Sequence, residues 1–524
     1  MTTCSLFRCQ RAPWGFNRMG MLHNLAMGFG VALAPQNLFF IVLGQLVGVS
    51  IGILPGINAS MAVAILLPLT FGMTPVTSLL LLAGIYMGAM FGGSITSILL
   101  RVPGTSTAAV IALDGYEMTL KGRAGLALGI TAIGSWIAGT FSVMVLMSLG
   151  PWLSTVALAF GPPEYFALIF LGLTMITSLG SGSLVKGLIA GTFGLLLGTI
   201  GMDPGAGISR FTFGILGLDN GISFIAVLIG MFAVSQSLIN LESHFSHMFY
   251  KGKMTGLLPT WNDFKESFGS IVRGSVLGTF IGMLPGAGAT ASAFMSYSLE
   301  ARISKHPEQV GKGDLRCVAG PGSADNSAAG GALVPLLSLG IPGSETTAVL
   351  IGALMIQGIR PGPLLFTQHS SLVWALIASL YLANCLGLIL ATAGIKPLTQ
   401  ILRLPTPILS AFILVMSVVG AYSISNSMIE VWTVVIFGVI GYLMKRLDFP
   451  VAPVILALVL GPMAEKSFRQ ALFMSDGSLT IFFDRPITVI MLILSVISLL
   501  LPLILSRLRP RVGTPSKQPG EDGE

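Results

Sequence analysis

Apolar residues run through this chain in long blocks separated by short polar ones, and the length of the blocks decides what they are. No Asp, Glu, Lys or Arg occurs between Asn24 and Leu100, between Ala124 and Pro163, between Pro361 and Ile395, or between Leu404 and Ile429. A bilayer core is crossed by about 20 apolar residues in α-helix, because a helix satisfies its own backbone hydrogen bonds in hydrocarbon. Blocks of this length predict an all-α polytopic membrane protein, with a last span from about Ile487 to Ser506. Residues 1–23 read as an N-terminal extension, 24–240 as a first membrane unit, 241–270 as a charged connecting loop, 271–506 as a second membrane unit and 507–524 as a disordered tail.

Composition sharpens this picture. Charged residues make up 9% of the 524, against roughly 25% in an ordinary soluble domain, and mean hydropathy is +0.86. A soluble globule has no means of solvating such a surface, which excludes a cytosolic enzyme, a disordered scaffold and a nucleic-acid module. The net charge of +7 lies in short connections and the tail. That is the Lys/Arg excess expected of cytoplasmic loops, so it marks orientation and implies no nucleic-acid partner. Residues 1–20 carry Arg8, Arg11 and Arg18 with no apolar run to follow until after Asn24, so no cleaved signal peptide is expected. The cysteines (Cys4, Cys9, Cys317, Cys385) and the histidines lack metal-ligand spacing, and no metal site or cofactor is expected.

Between its ends the chain repeats itself. Residues 53–60 read ILPGINAS and residues 283–290 read MLPGAGAT, 230 positions on. Residues 92–110 read GGSITSILLRVPGTSTAAV, and residues 330–349 read GGALVPLLSLGIPGSETTAV. A weaker match joins GPPEYFALIF (161–170) to RLPTPILSAF (403–412). Two homologous halves are the simplest source of such an order. The first LPG stretch has no basic flank, whereas the second is bounded by Lys265 and Arg273 before it and by Arg302, Lys305, Lys312 and Arg316 after it. Corresponding segments are therefore expected to face opposite sides of the membrane, as two inverted-topology repeats.

The Pro-Gly pairs carry the candidate chemistry. Proline removes a backbone donor and glycine favours unwinding, so Pro55-Gly56, Pro103-Gly104, Pro285-Gly286 and Pro342-Gly343 are each expected to break a helix or turn a re-entrant hairpin. Small polar residues follow every break: Asn58 and Ser60; Thr105, Ser106 and Thr107; Gly288 and Thr290; Ser344, Glu345, Thr346 and Thr347. Half-helices starting there aim free N–H groups and the positive end of the helix dipole at the midplane, which suits a carboxylate, while unwound carbonyls suit Na⁺. Substrate is expected at Asn58, Ser60, Arg101, Thr105, Ser106, Thr290, Ser344 and Thr346. The coupling ion, Na⁺ or H⁺, is expected at Asn58, Asp325, Asn326 and Glu345.

LPGINASMAVAILLPLTFGM, GIYMGAMFGGSITSILLRVPGTSTAAVIALDGY, GPPEYFAL and AAGGALVPLLSLGIPGSETTAVLIGALMIQGIRPGPLLF together strongly resemble the large membrane subunit of the tripartite tricarboxylate transporter family, from about Met21 to the last span. The resemblance implies a carboxylate-translocating subunit of the bacterial inner membrane with elevator-type architecture. It also implies a small membrane subunit and a periplasmic solute-binding protein as partners, with uptake by cation symport. Arg101 stands where that family more often has Asn; Gly322 and Asp325 replace a Glu and a second Asn, and Glu345 replaces a small residue. HExxH, GxSxG and Walker A patterns are absent, so an enzyme is not expected. A stand-alone carboxylate symporter or a channel is the alternative.

Overall fold

In the computed structural model the chain is described over residues 18–54, 56–179, 183–203, 207–242, 256–286, 288–304, 306–400 and 406–508. The expectations that fall on residues 1–17, Pro55, Lys305 and 509–524 lie outside these. The helices in chain order are α1 (Arg18–Ala32), α2 (Pro35–Ile53), α3 (Ala59–Leu66), α4 (Pro75–Leu100), α5 (Ile111–Leu120), α6 (Ala124–Ala157), α7 (Pro162–Leu179) and α8 (Leu184–Gly198). After a short hairpin of β1 (Gly201–Met202) and β2 (Ser209–Arg210) come α9 (Phe224–Leu228), a π-turn at Ile229–Val234 and α10 (Ser235–Glu242), which together form one continuous rod. Then follow α11 (Trp261–Gly282), α12 (Gly288–Ile303), α13 (Leu315–Leu339), α14 (Glu345–Ile356), α15 (Leu365–Gln368), α16 (Ser370–Thr392), α17 (Ile395–Thr399), α18 (Thr406–Ser425), α19 (Met428–Arg446), α20 (Ala452–Met474) and α21 (Pro486–Leu508). Among the described residues, 6 helices are long and apolar enough to cross a membrane. This is an all-helical polytopic membrane protein apart from the one hairpin.

One boundary differs from the sequence expectation. Helix α11 begins inside the segment expected to be loop, because Thr260 and Asp263 form a reciprocal capping box, with Thr260 Oγ1 accepting from the Asp263 N–H and the Asp263 carboxylate accepting from the Thr260 N–H. Such a cap satisfies two orphan donors and starts a helix well before the apolar stretch does. The high polarity of residues 261–270 concealed it.

Close packing fixes the directions of the inner helices. A β-carbon at Gly44, Gly48 or Gly52 of α2 would collide with the backbone carbonyl of Leu81, Ile85 or Ala89 of α4. The two helices are therefore parallel and in backbone contact, and Thr77 donating to Asn37 Oδ1 at 2.8 Å joins their starting ends. Since α2 and α4 start at the same end, the chain between them must turn back, and α3 is that return arm: α2 and α3 form a hairpin with Leu54 and residues 56–58 at its tip. The second half does the same. Gly274, Gly278 and Gly282 of α11 sit on the carbonyls of Gly320, Ala324 and Ala328 of α13. Helix α12 returns antiparallel to α13, with Ser292 donating to the Ala324 carbonyl and Ser304 to Asp314.

Helices α2–α6, α11–α14 and α16 make an inner assembly in which α6 packs along α13 and α16 along α4. Around it lie α7, α8, α20 and α21 on one flank and α9–α10, α18 and α19 on another. Helix α4 is buried along nearly its whole length. A buried carboxylate clamps the inner assembly at one end: Asp114 on α5 accepts from the N–H groups of Gly311, Gly313 and Asp314 at 3.0, 2.7 and 2.8 Å, and from the Tyr297 hydroxyl at 2.8 Å. It thereby ties α5 to the loop that starts α13. Asp114→Ala leaves these donors without an acceptor and is expected to cost about 3 kcal/mol, read as a lowered unfolding midpoint in detergent. An unchanged midpoint contradicts the clamp.

Candidate substrate and ion site

The four breaks meet in one place. After α4 the chain folds back on itself, so that Gly104 packs on the Gly52 carbonyl and the Gly93 Cα; after α13 it does likewise, and Gly343 packs on the Gly282 carbonyl and the Ala332 Cα. A side chain at either glycine would push the turned segment off the neighbouring helix. Pro103 and Pro342 hold the two turned segments extended ahead of these glycines. At the hairpin tips Gly56 and Gly286 adopt φ of +81° and +83°, a left-handed backbone that glycine alone takes without steric cost. Pro285 precedes Gly286 in the second tip; its counterpart Pro55 is outside the described residues.

The polar residues that follow pair across the two halves. Ser60, at the start of α3, donates to Glu345 Oε2 at 3.4 Å, at the start of α14. Ser106 and Thr290 place their hydroxyl oxygens 3.2 Å apart, joining the turn after α4 to the start of α12. In the aligned motifs Ser106 corresponds to Glu345 and Ser60 to Thr290, so the two junctions are made from corresponding positions with the halves exchanged. Ser344 caps α14 in a box with Thr347, and its hydroxyl lies 3.3 Å from the Tyr86 phenol of α4. Asp325 of α13 is fully buried, with the Thr107 hydroxyl as its polar neighbour. The Asn326 amide is buried and unpartnered. Thr105 and Thr107 share a hydrogen bond at 2.8 Å.

Tyr86 meets the chain beyond the end of α13, whereas Asp325, about four turns before that end, meets the chain beyond the end of α4. Helices α4 and α13 therefore cross antiparallel. Asn58 is the half-buried N-cap residue of α3 and makes no side-chain cap bond. Thr346 is buried in the first turn of α14. Among the described residues Arg101 has no carboxylate partner; it is exposed, with its guanidinium 5.9 Å from the centre of the Tyr116 ring. Its φ is +57°, where the second half has Gly340 at +76°. The left-handed turn leaves Arg101 exposed.

Sequence reasoning missed Tyr86, Gln236, Asn240 and Lys445. Tyr86 sits in an apolar run that looks like packing. Lys445 lies in the last turn of α19, where a basic residue reads as a membrane-edge flank. Only the tertiary fold brings the Asn240 amide to the Gly56 carbonyl, 3.4 Å away.

The description of the tripartite tricarboxylate transporter TctA family matches residues 38–456. The chain belongs to this family. A relative from Agrobacterium vitis, described as an uncharacterized 52.8 kDa protein in the TAR-I ttuC' 3' region, is 42% identical over 492 residues, covering 93% of this chain and 98% of its own length. A second A. vitis protein, described as uncharacterized in the TAR-II ttuC' 3' region, is 38% identical over 227 residues, 43% of this chain and 94% of its own length. No solved structure matches. The TctA family is one of transporters, and this chain is a transport protein rather than an enzyme.

The exposure pattern is directly testable. In a cysteine-free background, Ser106→Cys is expected to react with a water-soluble maleimide, while Thr107→Cys, 7% exposed at the native side chain, is expected to resist it. Equal labelling of both contradicts the junction geometry.

Proposed function

We propose that the chain is the translocating subunit of a three-component importer of the bacterial inner membrane. It takes up a di- or tricarboxylate with co-transported Na⁺ or H⁺, aided by a small membrane subunit and a periplasmic solute-binding protein. The observation that carries the reading is the meeting of the breaks from both halves, with the hydroxyl–carboxylate pair Ser60–Glu345 and the hydroxyl pair Ser106–Thr290. Interrupted helices are tolerated at membrane depth only where they are buried in protein or line a cavity, and their free N–H groups and carbonyls suit anions and cations respectively. The substrate carboxylates fall to Arg101 and the hydroxyls of the turns: Asn58 with Ser60, Thr105 with Ser106, Thr290, and Ser344 with Thr346. The ion falls to the oxygens of Asn58, Asp325, Asn326 and Glu345.

Matching packing in the two halves supports an inverted repeat. Gly92 lies on the Val49 carbonyl as Gly331 lies on the Thr279 carbonyl, at corresponding positions, and α4 crosses α13 antiparallel. Against this symmetry the flanks sit unequally, which supports an elevator. Helices α7 and α18 occupy matching places in the repeat, with Ile176 corresponding to Val418. Ile176 touches the second hairpin at its tip, on Gly286, whereas Gly420 touches the first hairpin at the far end of α3, on Pro68. Relative to a symmetric midpoint the inner assembly is displaced along its flanks. The difference spans α3, 8 residues long, or on the order of 12 Å at 1.5 Å per residue.

With citrate as the test tricarboxylate, proteoliposomes holding this chain, the small subunit and the binding protein are expected to accumulate it against its gradient when a Na⁺ or H⁺ gradient is imposed. This chain alone is expected to transport poorly. Mere equilibration indicates a channel, and full-rate uptake by the chain alone indicates a stand-alone symporter. Arg101→Ala is expected to raise the concentration for half-maximal uptake at least ~10-fold, about 1.4 kcal/mol, at normal expression; unchanged uptake removes Arg101 from the site.

A further inference from the structure

A small cavity lies inside the inner assembly, between α4, α6 and α16. Its volume is about 10 Å³, and its walls include Phe91 and Ser94 of α4, Thr131 and Ser135 of α6, and Ala391 of α16. Every one of these residues is buried. Three hydroxyls therefore face one point in an otherwise apolar interior, and none of them belongs to the junctions described above.

The hydrogens of these hydroxyls are unequally used. A hydroxyl within a helix ordinarily donates to the carbonyl three or four residues back. Thr131 does so, to Ala127 at 2.7 Å, and so does Ser97, a neighbour of Ser94 on α4, to Gly93 at 3.1 Å. Ser135 donates instead to the Gly322 carbonyl of α13 at 3.2 Å. Ser94 does neither, and its buried oxygen has no hydrogen-bond partner in the protein. Thr131 and Ser135 have each spent their one hydrogen and keep lone pairs, whereas Ser94 still has a hydrogen to give. A buried hydroxyl left in that state is costly, and a native fold rarely tolerates it.

We propose that this cavity is the seat of one bound water molecule, which accepts from Ser94 and donates to Thr131 and Ser135. Three hydrogen bonds are the usual complement of a buried water, and roughly 10–15 Å³ is the least space that holds one, so the cavity takes a single molecule and no more. A small cation is the other occupant that such oxygens attract. No carboxylate is among the described residues that line the cavity, and an ion taken into protein without a counter-charge costs far more than a neutral molecule. Through Ser135 the water joins α4 to α13, the two helices that lead into the turns at Gly104 and Gly343. The joint falls at Gly322, one turn before Asn326 and close to Asp325. The water thus helps to fix the spacing of the helices that carry the candidate ion ligands, whatever the transported ion is.

The test is brief X-ray irradiation of the purified full chain in detergent, which turns a bound water into a hydroxyl radical that oxidises the nearest side chain, with the oxidised residues read by mass spectrometry. Phe91 lines the cavity and Phe232 does not, yet both side chains are 3% exposed. Phe91 is expected to be oxidised several-fold faster than Phe232. Ser94→Val, which fills the cavity and removes the donor, and Thr131→Val, which keeps the shape and removes an acceptor, are each expected to bring Phe91 down to the rate of Phe232. Replacing Na⁺ by N-methylglucamine is expected to leave the wild-type rates unchanged. The proposal is overturned if Phe91 reacts no faster than Phe232, if both variants keep the fast reaction, or if the rate at Phe91 follows Na⁺. The comparison of the two phenylalanines needs no substitution, so it decides the matter even where a variant fails to fold.

Discussion

Backbone pressed against backbone is the constraint on which the site depends. A helix broken in the middle of a membrane exposes N–H and C=O groups that hydrocarbon does not satisfy, so each break has to be held tightly inside protein. Here α2 lies on α4, and α11 on α13, through glycines whose Cα atoms rest on the partner's carbonyls. The same closeness lets the chain after α4 and after α13 fold back, with Gly104 and Gly343 lying on carbonyls of the hairpin arms. Were these helices held apart by side chains, neither hairpin tip would find a wall to lean on, and the polar groups beyond the tips would not converge.

The convergence then places charge sparingly. Most of the polar groups at the junctions are hydroxyls, which serve anion and cation alike and cost little when buried in mutual hydrogen bonds. The charged exceptions are Glu345 on Ser60, Lys445 on Gln236, buried Asp325 beside Thr107, and exposed Arg101, which has no carboxylate partner among the described residues. Two acids and two bases set among matching hydroxyls break the equivalence of the junctions without disturbing their geometry. Charge clusters away from the site do ordinary structural work. Arg210 and Arg469 share Asp203 and Glu465 between the short hairpin and α20, and Arg485 holds Glu164 at the start of α7.

Much of this was legible in the sequence because membrane helices advertise themselves. Charge-free blocks marked the spans, and Pro-Gly pairs at repeated spacing marked the breaks, since nothing else tolerates proline and glycine so regularly within apolar runs. The partners of those breaks were not legible. Nothing in the run around Tyr86 distinguishes it from core, and Lys445 has the local sequence of a helix end; both acquire meaning from an antiparallel crossing that is a property of the whole fold. Helix α11 began earlier than its apolar pattern because a capping box, not hydropathy, set its start. Arg101 stands out in the sequence as a candidate, but its exposure at a left-handed turn is not announced there.

In the proposed elevator the inner assembly slides along its flanks, and the unequal seating of α7 and α18 is one end of that stroke. Paired cysteines test it. Asn58→Cys with Val418→Cys joins the first tip to the level of α18 that corresponds to Ile176 on α7, while Pro68→Cys with Gly420→Cys joins residues already in contact. A bifunctional maleimide applied to membranes is expected to link both pairs, each in proportion to the time spent at its end of the stroke, with added cation and substrate shifting the balance between them. Linking of the Pro68–Gly420 pair with no linking of the Asn58–Val418 pair under any combination of cation and substrate would contradict the account.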